Sequence, residues 1–230
     1  MNFHIITLFP GAFGSYVNES ILARALSQKL LKFHFYNPRD FVVAKKKKAS
    51  KNDFPEYRRI DDKPYGGGPG MVIQALPVLK VLDKAVKQIK KNKKAKYKIF
   101  FLEPAGKQFE TTIAKKLAQN YSDIVIICGR YEGIDVRIKK YFKMEDLSVG
   151  PFVLTGGELP ALIIMDCVAR QIEGVLGDIN SLEEERISSP EIYTRPEVLE
   201  FKGKKTRVPK VLLSGNHKLI DEWRTAKKGK

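Results

Sequence analysis

Residues 128 to 161 read CGRYEGIDVRIKKYFKMEDLSVGPFVLTGGELPA, and the prediction of the fold begins from this stretch. The apolar run Asp123 to Cys128 that leads into it is typical of a strand covered on both faces. A turn, Gly129 to Gly133, follows the strand, and a second glycine-rich loop, 148 to 157, precedes an apolar helix predicted from Glu158 to about Gln171. Because open α/β sheets bind ligands where their strands end, we predict the active site here.

Strand-like and helix-like segments alternate over the first three quarters of the chain. Apolar runs predict strands at 3 to 9, 31 to 36, 99 to 102 and 123 to 128. Helical spacing of apolar residues predicts helices at 21 to 30, 76 to 91, 111 to 119 and 158 to 171. Such alternation is typical of an α/β fold with a mostly parallel sheet and helices on both faces. Three ligand-type loops would then lie along one edge of the sheet.

The charge of the chain points to a polyanionic partner. There are 42 Lys and Arg residues against 26 Asp and Glu residues, a formal net charge of +16. Nucleic acid is a better partner for this positive electrostatic field than a membrane, since no run of eighteen apolar residues is present.

Cys128 and Cys167 lie in apolar contexts and are predicted to be buried thiols. The start of the chain shows no signal-peptide pattern, so we expect a cytoplasmic protein, and the three histidines have no spacing that predicts zinc.

The composition predicts two domains and a linker. Residues 1 to 174 hold the strand and helix pattern, and the segment 175 to 190 becomes acidic and poor in large apolar residues, as linkers do. Residues 191 to 230 carry eleven Lys or Arg against five Asp or Glu, with short helix-like patches around Trp223. This small C-terminal domain is predicted to be helical and to contact phosphate, with a solubilising terminus as the alternative.

The segment between Asn37 and Gly70 lacks periodicity and is too long for a simple connection. Its lysine cluster, Lys45 to Lys51, fits either a solvated surface or a contact with RNA. Residues 61 to 70 read DDKPYGGGPG, and the carboxylate pair, aromatic ring and four glycines suit a loop folded against a ligand. No G-x-G-x-x-G follows a strand and no G-x-x-x-x-G-K-[ST] occurs, so a Rossmann or P-loop nucleotide site is not predicted.

Six sequence blocks carry a family resemblance. In chain order they are Asn37 to Phe41, Asp61 to Met71, Cys128 to Asp135, Leu154 to Pro160, Tyr193 to Leu199 and Leu213 to His217. With these blocks, several of them long and rare, the chain resembles the bacterial tRNA (guanine-N1)-methyltransferases over nearly its whole length. The resemblance implies methylation of N1 of the guanosine at tRNA position 37, just 3′ of the anticodon, when another guanosine precedes it.

The resemblance also implies a fold and a cofactor. It implies the SPOUT-like α/β fold with a deep C-terminal trefoil knot, although chains rarely thread loops. It implies a homodimer and S-adenosylmethionine as the methyl donor. By residue-for-residue matching, the residues implied to bind the donor are Leu102, Glu103, Pro104, Gly129, Glu132, Val149, Gly150, Pro151, Phe152, Val153, Leu154, Gly156 and Gly157.

Methylation at N1 of guanine needs a base for the N1 proton and a positive group for the charge that builds on O6. The resemblance implies Arg170 as that positive group. The position of the family's aspartate base is occupied by Glu185 in this sequence. A glutamate side chain is one methylene longer than that of aspartate and has nearly the same pKa. Glu184 or Glu183 could serve instead. The linker would order across the partner subunit and make the active site composite. Magnesium is a further possible charge stabiliser, without a recognisable set of ligands in the sequence.

The substrate base must leave the stack of a single-stranded loop to be reached. The residues predicted to read or stack the guanosines, or otherwise to contact the RNA, are Asp61, Asp62, Tyr65 and Ser181.

Some positions depart from the family pattern. Pro151 stands where relatives often have an acidic residue, Glu103 where many have serine, and Tyr57 where many have histidine.

Two other functions are consistent with the sequence. The first is a non-catalytic RNA-binding scaffold, which the change from aspartate to Glu185 favours. The second is a phosphate-binding metabolic enzyme that uses the Gly66 to Gly70 loop, which the net charge disfavours.

Overall fold

The computed structural model describes residues 1 to 42, 59 to 177 and 191 to 228. Within it the chain forms two compact units, Met1–Leu176 and Gly177–Lys230. The predicted lysine cluster, Lys45 to Lys51, lies outside the described residues. Most of the predicted linker, from residue 178 to 190, also lies outside them.

The first unit contains the four predicted strands and the four predicted helices, together with three strands and one short helix that were not predicted. Its strands are β1 (Asn2–Ile6), β2 (Lys32–Tyr36), β3 (Asp61–Asp62), β4 (Val72–Ile73), β5 (Tyr97–Gln108), β6 (Asp123–Ile127) and β7 (Glu145–Ser148). Its helices are α1 (Gly14–Val17), α2 (Ser20–Ser27), α3 (Ala75–Lys90), α4 (Thr111–Asn120) and α5 (Glu158–Ala169). Short 3-10 turns follow β1, β2 and β6.

Five of these strands form one sheet in the order β2-β1-β6-β5-β7, and all of its pairs are parallel. Every residue of the central strand β6 is buried, as its continuous apolar sequence predicts. Successive residues of this strand point to opposite faces, so Ile124 and Ile126 pack with α2, α4 and α5, whereas Val125 and Ile127 pack with α3. The prediction of an α/β fold with a parallel sheet and helices on both faces is confirmed.

Two predicted boundaries are wrong. The first strand was predicted to reach Phe9, but β1 ends at Ile6, because Pro10 opens a 3-10 turn and turns Phe9 toward solvent. The segment Glu103 to Gly106 was predicted to be a loop, but it lies within β5. Both Leu102 and Lys107 pair with Leu147 of β7, so the intervening residues form a bulge in the strand.

The second unit contains an antiparallel hairpin in addition to the expected helices. The hairpin joins β8 (Val198–Phe201) to β9 (Lys204–Arg207), and α6 (Lys210–Leu213) and α7 (His217–Lys228) follow. Lys202 and Gly203 both have positive φ, which is the geometry of a two-residue hairpin turn. The helix predicted around Trp223 is present as α7, but the hairpin was not predicted, because a Lys-Gly turn lacks the Asn-Gly or Asp-Gly signal that marks a hairpin in sequence.

Candidate active site

A cavity of about 500 Å³ lies at the carboxyl ends of β6 and β7, beside the bulge of β5. Three segments form most of its wall: the bulge of β5, the turn 129 to 134 after β6, and residues 147 to 157 at the end of β7 and in the loop after it. Val136, Lys139 and Pro160 also contribute to the lining. Its volume is within the range of sites that enclose small organic ligands. The position is the one that the sequence predicts for a ligand in an open α/β sheet.

Twelve of the thirteen residues predicted to bind a donor line this one cavity. They are Leu102, Glu103, Pro104, Gly129, Glu132, Val149, Gly150, Phe152, Val153, Leu154, Gly156 and Gly157. Pro151 does not line it; this residue is exposed and follows the buried Gly150 in the loop. The structure thus brings together segments that lie more than fifty residues apart in sequence.

The two glycine loops touch each other through their backbones. The Gly157 N–H donates to the Gly129 carbonyl at 2.9 Å. A Cβ on Gly157 would lie 2.6 Å from the Cα of Cys128, so no side chain fits at this position. The close approach explains why glycine is required there. It also places the start of α5 directly against the end of β6.

A buried polar network supports the cavity from below. The Thr7 hydroxyl donates a hydrogen bond to Glu158 Oε1 at 2.7 Å. The other carboxylate oxygen, Glu158 Oε2, forms an ion pair with Arg130 Nε at 2.9 Å. This second contact is not a hydrogen bond, because the Arg130 Nε–H does not point at the oxygen. Arg130 also donates to the Thr155 carbonyl at 3.1 Å and lies over the Phe9 ring at 4.7 Å. Three separate chain segments are thereby tied together.

This network was not predicted from the sequence. Glu158 is 3% exposed, and Thr7 is 1% exposed. A carboxylate is rarely buried unless it has polar partners. A glutamate at the start of an apolar helix was therefore the one sequence feature that could have indicated a buried polar network. Its partner Thr7 could not be inferred, because it lies 151 residues earlier in the chain.

A second charged cluster lies in the cavity wall. Lys139 Nζ is 2.6 Å from Asp146 Oδ1 and 3.5 Å from Glu103 Oε2, and it lies over the Phe101 ring at 4.5 Å. Burial raises the pKa of Glu103, the Asp146 carboxylate raises it further, and the Lys139 ammonium opposes both effects. Of these residues only Glu103 was predicted to belong to the site.

The 59 to 74 segment is attached to the turn at the cavity. Met71 O accepts from the Glu132 N–H at 3.0 Å, and the Ile73 N–H donates to Gly133 O at 2.9 Å. Asp61 is buried, and among the described residues its Oδ1 has no hydrogen-bond partner. Asp62 and Tyr65 are exposed, and Tyr65 fully so. None of these three predicted substrate residues lines the cavity.

Arg170 lies at the opposite end of α5 from the cavity. The helix begins at Glu158, and Arg170 is its C-terminal cap. Twelve residues of helix correspond to about 18 Å, so the Arg170 backbone is far from the cavity of its own chain. The predicted base Glu185, its alternatives Glu184 and Glu183, and the predicted substrate residue Ser181 lie outside the described residues.

Within the described residues Cys128 and Cys167 form no disulfide; Cys128 is buried as predicted, whereas Cys167, also predicted to be buried, is half-buried. Complete burial raises the pKa of Cys128, and the nearby Glu158 carboxylate raises it further. Cys128 is therefore protonated and unreactive at neutral pH, and it lies behind the cavity rather than in its lining.

The fold and the cavity together define an α/β ligand-binding domain of the kind found in cofactor-dependent enzymes. Residues 1 to 230 match the family model described as tRNA (Guanine-1)-methyltransferase TrmD. The chain belongs to this family, as the resemblance of its sequence blocks predicts.

Curated relatives agree over nearly the whole chain. A tRNA (guanine-N(1)-)-methyltransferase of Clostridioides difficile is 43% identical over 228 residues, which cover 97% of this chain and 90% of the relative. Proteins of the same name from Photobacterium profundum and Campylobacter jejuni subsp. doylei are also 43% identical. They are matched over 96% and 98% of this chain and 82% and 91% of their own lengths.

The described ranges offer neither a membrane-spanning helix nor a metal-binding cluster. None of their helices is both long and apolar enough to cross a membrane. In the same ranges no three His, Cys, Asp or Glu side chains are grouped so that they could hold a metal ion.

Proposed function

We propose that this protein transfers a methyl group from S-adenosylmethionine to N1 of the guanosine at tRNA position 37 when a guanosine precedes it. The observation that carries the proposal is the single cavity lined by twelve of the residues that the family resemblance implies for the donor. The family match over the full chain supports the same reaction.

The cavity residues fit an adenosine-type donor. The wall offers apolar surface from Leu102, Ile134 and Leu147 beside backbone groups of several glycines, which suits a heterocycle held by backbone hydrogen bonds. When bound, the donor supplies an electrophilic methyl group. The close backbone contacts of Gly157 with Cys128 and of Gly106 with Leu147 are consistent with a threaded chain, and we propose the trefoil knot for this region.

For the chemistry, we propose Glu185 as the base that takes the N1 proton and Arg170 as the cation that stabilises charge on O6. Removal of the proton makes N1 nucleophilic, and the guanidinium lowers the energy of the enolate-like charge that results. A carboxylate of nearly the same pKa as aspartate is suited to this step. Glu184 and Glu183 remain the alternative bases within the same acidic segment.

We propose that the active site is completed by a second copy of the chain. The length of α5 separates Arg170 from the cavity of its own chain by about 18 Å. Along the same helix Leu159 and Ile163 are exposed, and Tyr16 beside Asp166 continues the apolar surface. An exposed patch of this kind is typical of a subunit interface. A homodimer joined there would bring the Arg170 of one protomer toward the cavity of the other.

The RNA is proposed to contact both units. Asp61, Asp62 and Tyr65 belong to a segment bonded to the cavity turn, so they could reach the guanosines beside it. The basic second unit would bind phosphates, with Ser181 and the linker contributing near the target. We propose the domain division 1 to 174, 175 to 190 and 191 to 230 and a cytoplasmic location. No step is assigned to magnesium, because the described residues provide no group of ligands for it.

Transfer of labelled methyl from S-adenosylmethionine to tRNA transcripts with and without the target guanosine tests the proposal. Wild type should label only the transcript that contains it. Glu185→Gln and Arg170→Ala should each lower kcat by about a hundredfold or more while donor affinity stays unchanged. Full activity of Glu185→Gln would remove Glu185 from the mechanism. Donor affinity measured by calorimetry separates the enzyme from the RNA-binding scaffold, which need not bind the donor.

A further inference from the structure

A lysine-rich surface lies on α3 and the turn that follows it, outside the site described above. Eight lysines between residues 80 and 96 are exposed, and Asp83 is the only acidic residue in that stretch. The exposed lysines are Lys80, Lys84, Lys87, Lys90, Lys91, Lys93, Lys94 and Lys96. The buried face of the same helix packs on the sheet through residues such as Val78, Leu82 and Ile89.

Four of these lysines form a straight strip along the helix. Lys80, Lys84, Lys87 and Lys91 are spaced by four, three and four residues, so they share one face and neighbours lie about 5–6 Å apart. The strip is about 16 Å long. It begins close to the active site, because α3 follows β4, whose Ile73 is bonded to Gly133 of the cavity turn. A line of positive charge therefore runs outward from the edge of the site.

An ordinary solvated helix face would carry mixed charges. Here Lys87 pairs with Asp83 at 2.7 Å, and Lys84 lies over the Phe41 ring at 5.5 Å. Like charges at spacings of three and four residues destabilise a helix, and Asp83 can offset only one of the four positive charges, so the strip keeps a net repulsion. An anion with regularly repeated charges relieves that repulsion along the whole strip.

We propose that the α3 strip, defined as Lys80, Lys84, Lys87 and Lys91, binds the phosphate backbone of the helical RNA stem next to the target loop. The inference rests on the proposed function and extends it to a second contact surface on the first unit. RNA fits better than an anionic membrane, because a membrane-binding helix needs a free apolar face and that of α3 is buried in the core.

The test compares two double variants that each remove two exposed positive charges. Lys80→Gln/Lys91→Gln removes the ends of the strip. Lys29→Asn/Lys116→Gln is the matched control on the opposite side of the sheet, where α2 and α4 pack. Asparagine is chosen at residue 29 because it tolerates the positive φ of 61° found there.

Binding of full-length tRNA and of an isolated anticodon stem-loop is measured from about 50 to 200 mM salt. The strip variant should bind both RNAs several-fold more weakly at low salt, with a slope of log Kd against log salt that is less steep by about 1 to 2, whereas the control keeps the wild-type slope. Donor affinity should be unchanged in both variants. Equal slopes for the two variants, or an effect limited to binding of phosphatidylserine vesicles, overturn the inference. Failure of the wild-type protein to methylate tRNA would instead overturn the proposed function. The salt dependence of RNA binding by the two variants would still decide whether the α3 strip contacts RNA.

Discussion

Arg130 and Glu158 form an ion pair with 2.9 Å between Nε and Oε2, and this pair fastens the turn after β6 to the first residue of α5. The Glu158 side chain is 4% exposed and that of Arg130 is 26% exposed. The turn and the start of α5 both border the cavity. The ion pair that joins them therefore helps to set the shape of the donor site.

Replacing Arg130 by Met should destabilise the protein and weaken donor binding. The change leaves the buried Glu158 carboxylate with only the Thr7 hydroxyl as partner, which should cost about 3 kcal/mol of unfolding free energy. Donor affinity should fall about tenfold or more as the turn loosens. Urea denaturation and calorimetry measure the two effects. Glu158→Gln is the matched variant and should cost less, because Arg130 retains some solvent access. Equal stability of wild type and Arg130→Met would refute the supporting function of the pair.

Adding one methyl group at Gly157 should abolish donor binding. The new Cβ would lie 2.6 Å from Cys128 Cα, and backbone cannot move away as a side-chain end could. Gly106→Ala should behave similarly, since its Cβ would lie 2.5 Å from the backbone nitrogen of Leu147. Gly11→Ala is the control, because no atom lies within 4 Å of a Cβ there. Calorimetric titration should show wild-type affinity for Gly11→Ala alone, and wild-type affinity of Gly157→Ala would contradict the described contact of the two loops.

Stability should decrease as the pH falls below about 6.5. His4 lies between Asp123 Oδ1 at 3.0 Å and the Tyr36 hydroxyl at 2.9 Å, and burial lowers its pKa even though Asp123 opposes the shift. Burial also lowers the pKa of His34, which stacks on the His4 ring. The unfolded chain therefore binds more protons than the folded one between the lowered values and the ordinary value near 6.5.

Urea denaturation between about pH 5 and pH 8 checks this expectation. Below about pH 6.5 the unfolding free energy should decline with acid until the lowered pKa values of the two rings are passed. His4→Gln removes one of the two titrating rings, so its curve should decline less steeply than that of wild type. Parallel curves for the two proteins would show that His4 does not contribute.

Mixing two inactive variants should restore activity if the active site is composite. Arg170→Ala removes the proposed cation, and Gly157→Ala disrupts the donor cavity by forcing its two glycine loops apart. In a mixed dimer one of the two sites would combine an intact cavity with an intact Arg170. After equal mixing and subunit exchange, about a quarter of wild-type activity is expected, since half of the dimers are mixed and each has one good site. No recovery, with subunit exchange demonstrated, would place Arg170 and the cavity in the same protomer's site.

Local patterns were sufficient for four of the five strands of the main sheet, whereas β7 was not predicted. The apolar run of β6 is buried along its full length, and the glycine loops at 129 and 157 lie at the predicted edge. Such features depend on residues close together in sequence, where periodicity and backbone conformation act directly. The bulge in β5 was not predicted, because it depends on how Gly106 approaches a strand forty residues later.

The sequence by itself determined the family, the alternation of elements and the residue types available for chemistry, because these follow from motif order and local spacing. Only the tertiary structure decided that Thr7, Arg130 and Glu158 meet beneath the cavity, that Lys139 joins Asp146 in its wall, and that α5 carries Arg170 away from it. The physical reason is that contacts between distant segments are set by strand order and helix length. Those quantities exist only after the sheet has assembled.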